Sequence, residues 1–210
     1  FEADSPDYDI EVRFFTPTTE VPICGHATIA AHYVRAKERN MEGGTVIQKT
    51  KAGILPVEVV RTLSDYSITM TQGTPAVSAP FGDTVRERIA DALGIAHEEI
   101  CREYPVAVAS TGHSKVMVPL YSNELLHGLR PDLQKLTKIS KQIECNGYYV
   151  FTLNPQNKIL VHGRMFAPAI GIAEDPVTGN ANGPLGAYLV HFNILQEEDA
   201  PCFDFDILQG

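Results

Sequence analysis

Two short stretches of this chain place proton-handling side chains where a helix is about to begin. Cys24-Gly25-His26-Ala27 sets a thiol and an imidazole around one glycine. Asp175-Pro176-Val177-Thr178-Gly179-Asn180 sets a carboxylate, a hydroxyl and an amide around another. The first turn of a helix carries backbone N–H groups without intrahelical partners and the positive end of the dipole, so each stretch is suited to seat a carboxylate. Glycine at the entrance lets a ligand approach the backbone. Histidine is the residue type suited to proton relay near neutral pH, which is one reading of His26; the competing reading is a polar cap or a satisfied, half-buried histidine. Asp175 reads as a proton-handling acid or as a capping acid of the helix that follows. Asn180 reads as an N-cap or as a ligand donor. Thr111-Gly112-His113 sits between two strands and reads as a plain hairpin turn with an exposed histidine, or else as a turn that reaches the cleft. His32, His97, His127, His162 and His191 show no ligand spacing and are assigned no role. The glycines match neither a Walker loop nor a dinucleotide fingerprint.

The elements that must position these residues follow from periodicity. Tyr8 to Phe14 begins with alternating apolar and charged residues, as in a half-buried strand. A helix is expected from about His26 to Arg39, stopped by Asn40 and Gly43-Gly44. Strands rich in Val, Ile and Thr follow at Thr45 to Thr50, Ile54 to Arg61 and Tyr66 to Gln72. The Pro/Ser/Ala stretch from Thr74 to Pro80 marks a boundary, giving two halves, 1–76 and 77–210. In the second half Asp83 or Thr84 caps a helix through Leu93, with Thr84 and Glu87 at capping-box spacing. Strands are expected at Val106 to Ser110, Lys115 to Leu120, Tyr148 to Leu153 and Lys158 to Phe166, with a helix from about Pro131 to Ile143. Phe203 to Leu208 is a further apolar, strand-like run.

The halves repeat one another. Arg13-Phe14-Phe15-Thr16-Pro17 matches Arg164-Met165-Phe166-Ala167-Pro168, each a strand ending at a proline. Each is followed by a loop and then by Gly-x-Ala opening a helix, Gly25-His26-Ala27 and Gly179-Asn180-Ala181. Two such strand–loop–helix units, related by pseudo-symmetry, can aim two helix N-termini at one cleft. The small, apolar helix bodies suit helices enclosed by curled sheets.

Composition narrows the function. A net charge of −9 without a local basic stripe excludes a nucleic-acid footprint. Apolar runs are only strand-length, so no membrane span is expected. Cys24, Cys101, Cys145 and Cys202 are widely spaced with no CxxC pair, and the last three read as buried thiols of a reducing compartment. The chain opens on Phe1 and closes on Leu208-Gln209-Gly210, and both ends read as cut.

The stretches Phe15 to Thr28 and Gly171 to Gly183 resemble the two signature segments of the PhzF family of phenazine-biosynthesis-type isomerases, specifically its uncharacterised bacterial branch. The similarity runs from Phe1 to Gly210. It implies a diaminopimelate epimerase-like α+β fold, two pseudo-symmetric halves that are each a curled, mostly antiparallel sheet around a central helix, with the active site between them. It also implies no organic cofactor and no metal. Asp175 and His26 would be catalytic, with Gly25, Ala27, Cys24, Thr178, Gly179 and Asn180 binding substrate. The family carries Ser or another small polar residue where Asn180 stands. Its principal acid/base is a Glu just upstream of a Phe that matches Phe1, so that Glu would precede this chain and Glu2 does not inherit its role. The distant epimerases use two cysteines; Cys24 aligns with the first, but Thr178 stands at the second.

The expectation is a cytoplasmic, homodimeric, cofactor-independent isomerase of biosynthetic type. It would move a proton on a small carboxylate, with neither nucleic acid nor membrane as partner, and the chain alone is expected to be inactive. The alternatives are a non-catalytic small-acid binding protein on the same scaffold and a thiol-dependent epimerase using Cys24.

Overall fold

A computed structural model describes residues 1–154, 160–195 and 206–209. The fold is mixed α+β, as expected, and divides into two compact units: Phe1–Thr74 with Thr111–His113, and Pro75–Ser110 with Ser114–Gly210.

The first unit begins with the short strands β1 (Ile10–Glu11), β2 (Phe14–Phe15) and β3 (Glu20–Val21), then helix α1 (Gly25–Glu38). Strands β4 (Gly44–Thr50), β5 (Gly53–Arg61) and β6 (Tyr66–Met70) complete a sheet of order β1-β4-β5-β6. The single strand expected from Tyr8 to Phe14 is broken. Ile10 and Glu11 pair in parallel with Gln48 and Lys49, whereas Phe14 and Phe15 turn away to form a hairpin with Val21 and Glu20. β4 and β5 alternate buried and accessible residues, so this sheet has one packed face. α1 lays Thr28, His32 and Ala36 against that face, one residue per turn. His32 is buried and its Nε2 lies 3.1 Å from Gln48 Oε1 on β4, with burial lowering the imidazole pKa.

α1 departs from the expectation of a fully enclosed helix. Ile29 and Val34 on its other side are 36% and 50% exposed. A four-stranded sheet is about 15 Å across and covers only one side of a helix that is itself about 10 Å wide.

The second unit runs β7 (Ala76–Val77), α2 (Asp83–Leu93), β8 (Ala107–Ser110), β9 (Lys115–Leu120), α3 (Asn123–Gly128), α4 (Leu133–Ile143), β10 (Tyr148–Asn154), β11 (Leu160–Ala167), β12 (Ile172–Asp175), α5 (Gly179–His191) and β13 (Ile207–Gln209). The sheet order is β12-β11-β10-β9-β8-β7, with β13 paired in parallel to β11. β9 and β10 are parallel, joined by the α3–α4 crossover, and their neighbours are antiparallel.

Every residue of β9 is buried, because both faces of the strand are covered. Val116 and Val118 point with Val150 and Phe166 into a core shared with Ile89 and Leu93 of α2 and Leu136 and Ile139 of α4. Lys115 and Met117 therefore point the other way. On that second face Phe151 meets Tyr188 of α5 edge-on at 5.8 Å. α5 also buries Ala181, Pro184, Leu185 and Leu189, and is far better enclosed than α1. Each large apolar side chain buried there contributes about 1.5–3 kcal/mol.

Local capping differs from expectation at α2. Its N-cap is Gly82 with no side-chain cap, so neither Asp83 nor Thr84 serves. Asp132 does cap α4, accepting from Gln134 N and Lys135 N at 3.0 Å. Cys101 and Cys145 are buried thiols; Cys202 and the start of the Phe203 run lie outside the described residues.

Candidate active site

The entrance to α1 is built by the β2–β3 hairpin. Arg13 Nε and Nη2 bond the two carboxylate oxygens of Glu20 at 2.8 and 3.0 Å, and its guanidinium lies 5.1 Å over the Phe15 ring. Arg13, helped by Lys51 at 2.7 Å, brings the Glu20 pKa down to about 2. Five residues after Glu20 the helix begins, anchored by the buried Ile23. Cys24 is the N-cap in extended conformation and offers no side-chain cap, and no acidic residue occupies the first turn. No acidic side chain of the helix's own first turn offsets its positive end. Gly25 is buried, Ala27 half-buried and His26 exposed. Cys24 Sγ lies 3.6 Å from His26 Nε2 and 3.8 Å from Nδ1. His26 is therefore neither the cap nor a buried structural histidine.

The entrance to α5 repeats this construction. Arg164 Nε and Nη2 bond Glu174 at 2.7 and 2.9 Å across β11 and β12, with the guanidinium 5.0 Å over Phe166. The turn between these strands closes on Gly171 at φ 81°, a left-handed conformation that glycine adopts without strain. Five residues after Glu174 the helix begins, with Thr178 as its N-cap, again with no side-chain cap and no acidic first-turn residue. Cys24 and Thr178 thus hold equivalent positions, as the sequence match implied. Asp175 is not the cap; its Oδ1 accepts from Val177 N at 3.3 Å, which fixes the carboxylate ahead of the helix. Asn180 is likewise not the cap but the second helical residue, half-buried beside Gly179.

Sequence reasoning missed Gln209. Its side-chain Oε1 accepts from Thr178 N at 3.1 Å and its Nε2 donates to the Asp175 carbonyl oxygen, so one amide spans the loop that carries the acid. The only cue was an amide at the end of a strand-like run. His113 also differs from expectation: it is 8% exposed, not on the surface. The turn that bears it is drawn into the first unit, where Gly73 N bonds Thr111 O at 2.8 Å.

The structure therefore gathers Cys24, Gly25, His26 and Ala27 on one helix start in the first unit. It gathers Asp175, Thr178, Gly179 and Asn180 on another in the second.

Known proteins resemble the chain along its length. The family model described as phenazine biosynthesis-like protein matches residues 1–210. The chain is 52% identical over 211 residues to an uncharacterized isomerase of Clostridium acetobutylicum, covering all of this chain and 70% of that protein. It is 50% identical over 198 residues to the uncharacterized isomerase YddE of Escherichia coli K12, covering 94% of this chain and 66% of that one. The chain thus spans about two thirds of the length of these relatives. Among solved structures, a PhzF-family phenazine biosynthesis protein of Bacillus anthracis aligns with a TM-score of 0.72 at 31% identity, over 89% of this chain and 63% of that one. A hydroxyproline epimerase of Agrobacterium vitis, solved with bound trans-4-hydroxy-L-proline, shares the fold at a TM-score of 0.62 and 13% identity, over 95% of this chain and 60% of that one. The chain belongs to the phenazine biosynthesis-like family, in the part of it whose curated members are named isomerases.

Proposed function

We propose that the full-length protein is a cofactor-independent isomerase that moves a proton, and with it a double bond or a stereocentre, on a small carboxylic acid. The observation that carries this reading is the repeated helix entrance. Two Arg–Glu-clamped strand pairs each lead, after five residues, to a glycine-opened helix with no acidic residue in its first turn and no side-chain cap. In the proposed active form the halves 1–76 and 77–210 close on one cleft, and both entrances serve the same ligand. The N–H groups at residues 25–27 and 179–181 then hold the carboxylate and the negative charge that grows on it as the proton leaves. Asp175 and His26 handle or orient the proton, assisted by an acid/base Glu that the family resemblance puts before Phe1. Cys24 and Ala27, with Thr178 and Asn180, complete the binding surface.

One observation favours a second reading, a thiol-dependent epimerase. A thiol within 3.6 Å of an imidazole is placed for activation. The hydroxyl of Thr178 at the equivalent position cannot act as the matching thiol. Full activity after complete modification of Cys24 would exclude this reading.

The test of the main proposal is solvent exchange. Full-length protein is incubated in D2O with a panel of small amino, hydroxy and unsaturated acids, and deuterium at carbon is read by mass spectrometry. An isomerase washes deuterium into at least one acid. Carboxylate binding without incorporation in any of them identifies a binding protein instead.

A further inference from the structure

The outer side of α2 shares a cavity with the segment that follows the helix. Asp83, Arg86 and Glu87 stand at i, i+3 and i+4 and are therefore neighbours on one flank of α2. The helix itself is anchored by Ile89, Ala92 and Leu93, buried in the core of the second unit. A cavity of about 300 Å³ is lined by those three charged residues together with His97 and Arg102. The segment carrying the last two is pinned along its backbone. Glu99 Oε2 accepts from Ala96 N at 2.7 Å, which fixes the turn His97–Glu99. Ile100 is fully buried, Cys101 N donates to the Pro119 carbonyl oxygen at 2.9 Å, and Arg102 N donates to the Tyr121 hydroxyl at 3.1 Å. The wall of the cavity is thus set by the fold.

The charges that line it are not closed on one another. Arg86 stands three residues after Asp83, a spacing at which helical ion pairs form. Among the described residues, however, neither Arg86 nor Arg102 is ion-paired, and neither is Asp83 or Glu87. Arg86 Nε and His97 Nε2 are moreover buried without a hydrogen-bond partner. A guanidinium N–H is always a donor, and leaving it buried and unsatisfied is costly.

We propose that this cavity binds a small α-amino acid as its zwitterion. Arg86 and Arg102, with His97 beside them, take the carboxylate, and Asp83 and Glu87 take the ammonium. The two acids decide the ligand class. A phosphate would be drawn by the guanidiniums and repelled by both carboxylates, whereas a ligand with one charge of each sign satisfies both sets. The volume lies at the lower end of the range for small-molecule sites, which suits a ligand of this size. α2 packs on the sheet face opposite α5, and the cavity shares no residue with either helix entrance.

The test is binding to full-length protein, followed at the backbone amides of residues 96–102 by 1H–15N NMR. The common L-amino acids are titrated singly, with inorganic phosphate as the competing class. At least one amino acid is expected to shift these amides saturably. Its des-amino acid and its decarboxylated amine should each bind about tenfold more weakly or worse, and Arg86→Met and Asp83→Asn/Glu87→Gln should each weaken it roughly ten- to hundredfold. Arg86→Lys, which keeps the charge, should retain part of the affinity. Unchanged amide positions in β9 and β10 establish that each variant is folded. No shift at residues 96–102 with any amino acid overturns the proposal, as does phosphate binding more tightly than all of them. Wild-type affinity in both charge-removing variants overturns it too. A shift that disappears in Asp175→Asn would belong to the α5 entrance and would equally end the proposal.

Discussion

The two helix entrances share a frame and differ in what it carries. Arg13–Glu20 and Arg164–Glu174 are the same bidentate clamp over the same aromatic ring, five residues ahead of the same glycine. The residue after the clamping glutamate is Val21 in one half and Asp175 in the other. Val21 is simply buried, whereas Asp175 is tied to Val177 and Gln209. After the cap and its glycine comes His26 in the first half and Asn180 in the second. The frame is thus symmetric and the titratable groups are not, as expected where one half supplies an imidazole and the other a carboxylate.

Chemistry should give the largest contrast. Asp175→Asn and His26→Gln in full-length protein are each expected to lower turnover by roughly 10²- to 10⁴-fold, the usual worth of general acid–base help. Melting temperature should barely change. The double variant should be far from additive if the two act as a unit. Turnover like wild type in both single variants would mean that the shared frame is structural only.

Next comes the stability effect of the buried lysine that opens β9 in the second half, Lys115. Lys115→Met should raise unfolding free energy by about 3 kcal/mol at neutral pH, since a lysine lowered from 10.5 to about 8 costs the fold roughly 1.4 kcal/mol per unit. The sign follows from linkage. Between pH 8 and 10.5 the unfolded chain binds more protons than the folded one, so wild-type stability rises with pH across that window. Denaturation midpoints from pH 7 to 10.5 should show this rise in wild type and lose it in Lys115→Met. A variant less stable than wild type would contradict the picture.

A smaller effect separates the clamps. The Arg164 side chain is 14% exposed and also donates to the Leu126 and Leu129 carbonyl oxygens at 3.0 and 3.4 Å. Arg164→Met is expected to cost about 2–3 kcal/mol, because buried acceptors lose their partner. Arg13 is 44% exposed, and Lys51 remains on Glu20 when it is removed. Arg13→Met should cost no more than about 1 kcal/mol. Equal costs by chemical denaturation would show that exposure does not distinguish the two.

The smallest effect is acid resistance of the first clamp. With its pKa held near 2, Glu20 contributes stability that is fully present above its ordinary value of 4.5 and is lost progressively as pH falls from there through about 2. The β2–β3 amides should therefore stay protected at pH 3 in wild type and lose protection in Arg13→Met. Early loss in wild type would remove the clamp from the account.

Regular elements were legible because their patterns are local. β4, β5, β9, β10, α1 and α4 lie within a few residues of where Val/Ile/Thr runs and helical periodicity put them. The repeat was also legible, down to the equivalence of Cys24 with Thr178. What escaped depended on partners distant in sequence. β3 and β7 have only two residues each and exist through pairing, not pattern. The clamping glutamates looked like ordinary surface acids. Lys115 looked like a charged strand start, because nothing local announces that both faces of β9 are covered. His113 looked exposed for the same reason: a turn's burial is decided by what folds over it.

The Gln209 bridge bears on the order in which a newly made chain matures. The amide that spans the Asp175 loop lies 34 residues beyond the acid it steadies. The apolar cluster that packs α2 and α4 against the same sheet draws on residues from Ile89 to Phe166, all synthesised earlier. Closing a loop of this length is slow to be rewarded, since the entropy of bringing its ends together comes before the contacts form. As the chain leaves the ribosome, the core of the second unit can therefore condense while the Asp175 segment is still slack. The acid is set in place only when the strand carrying Gln209 docks alongside β11.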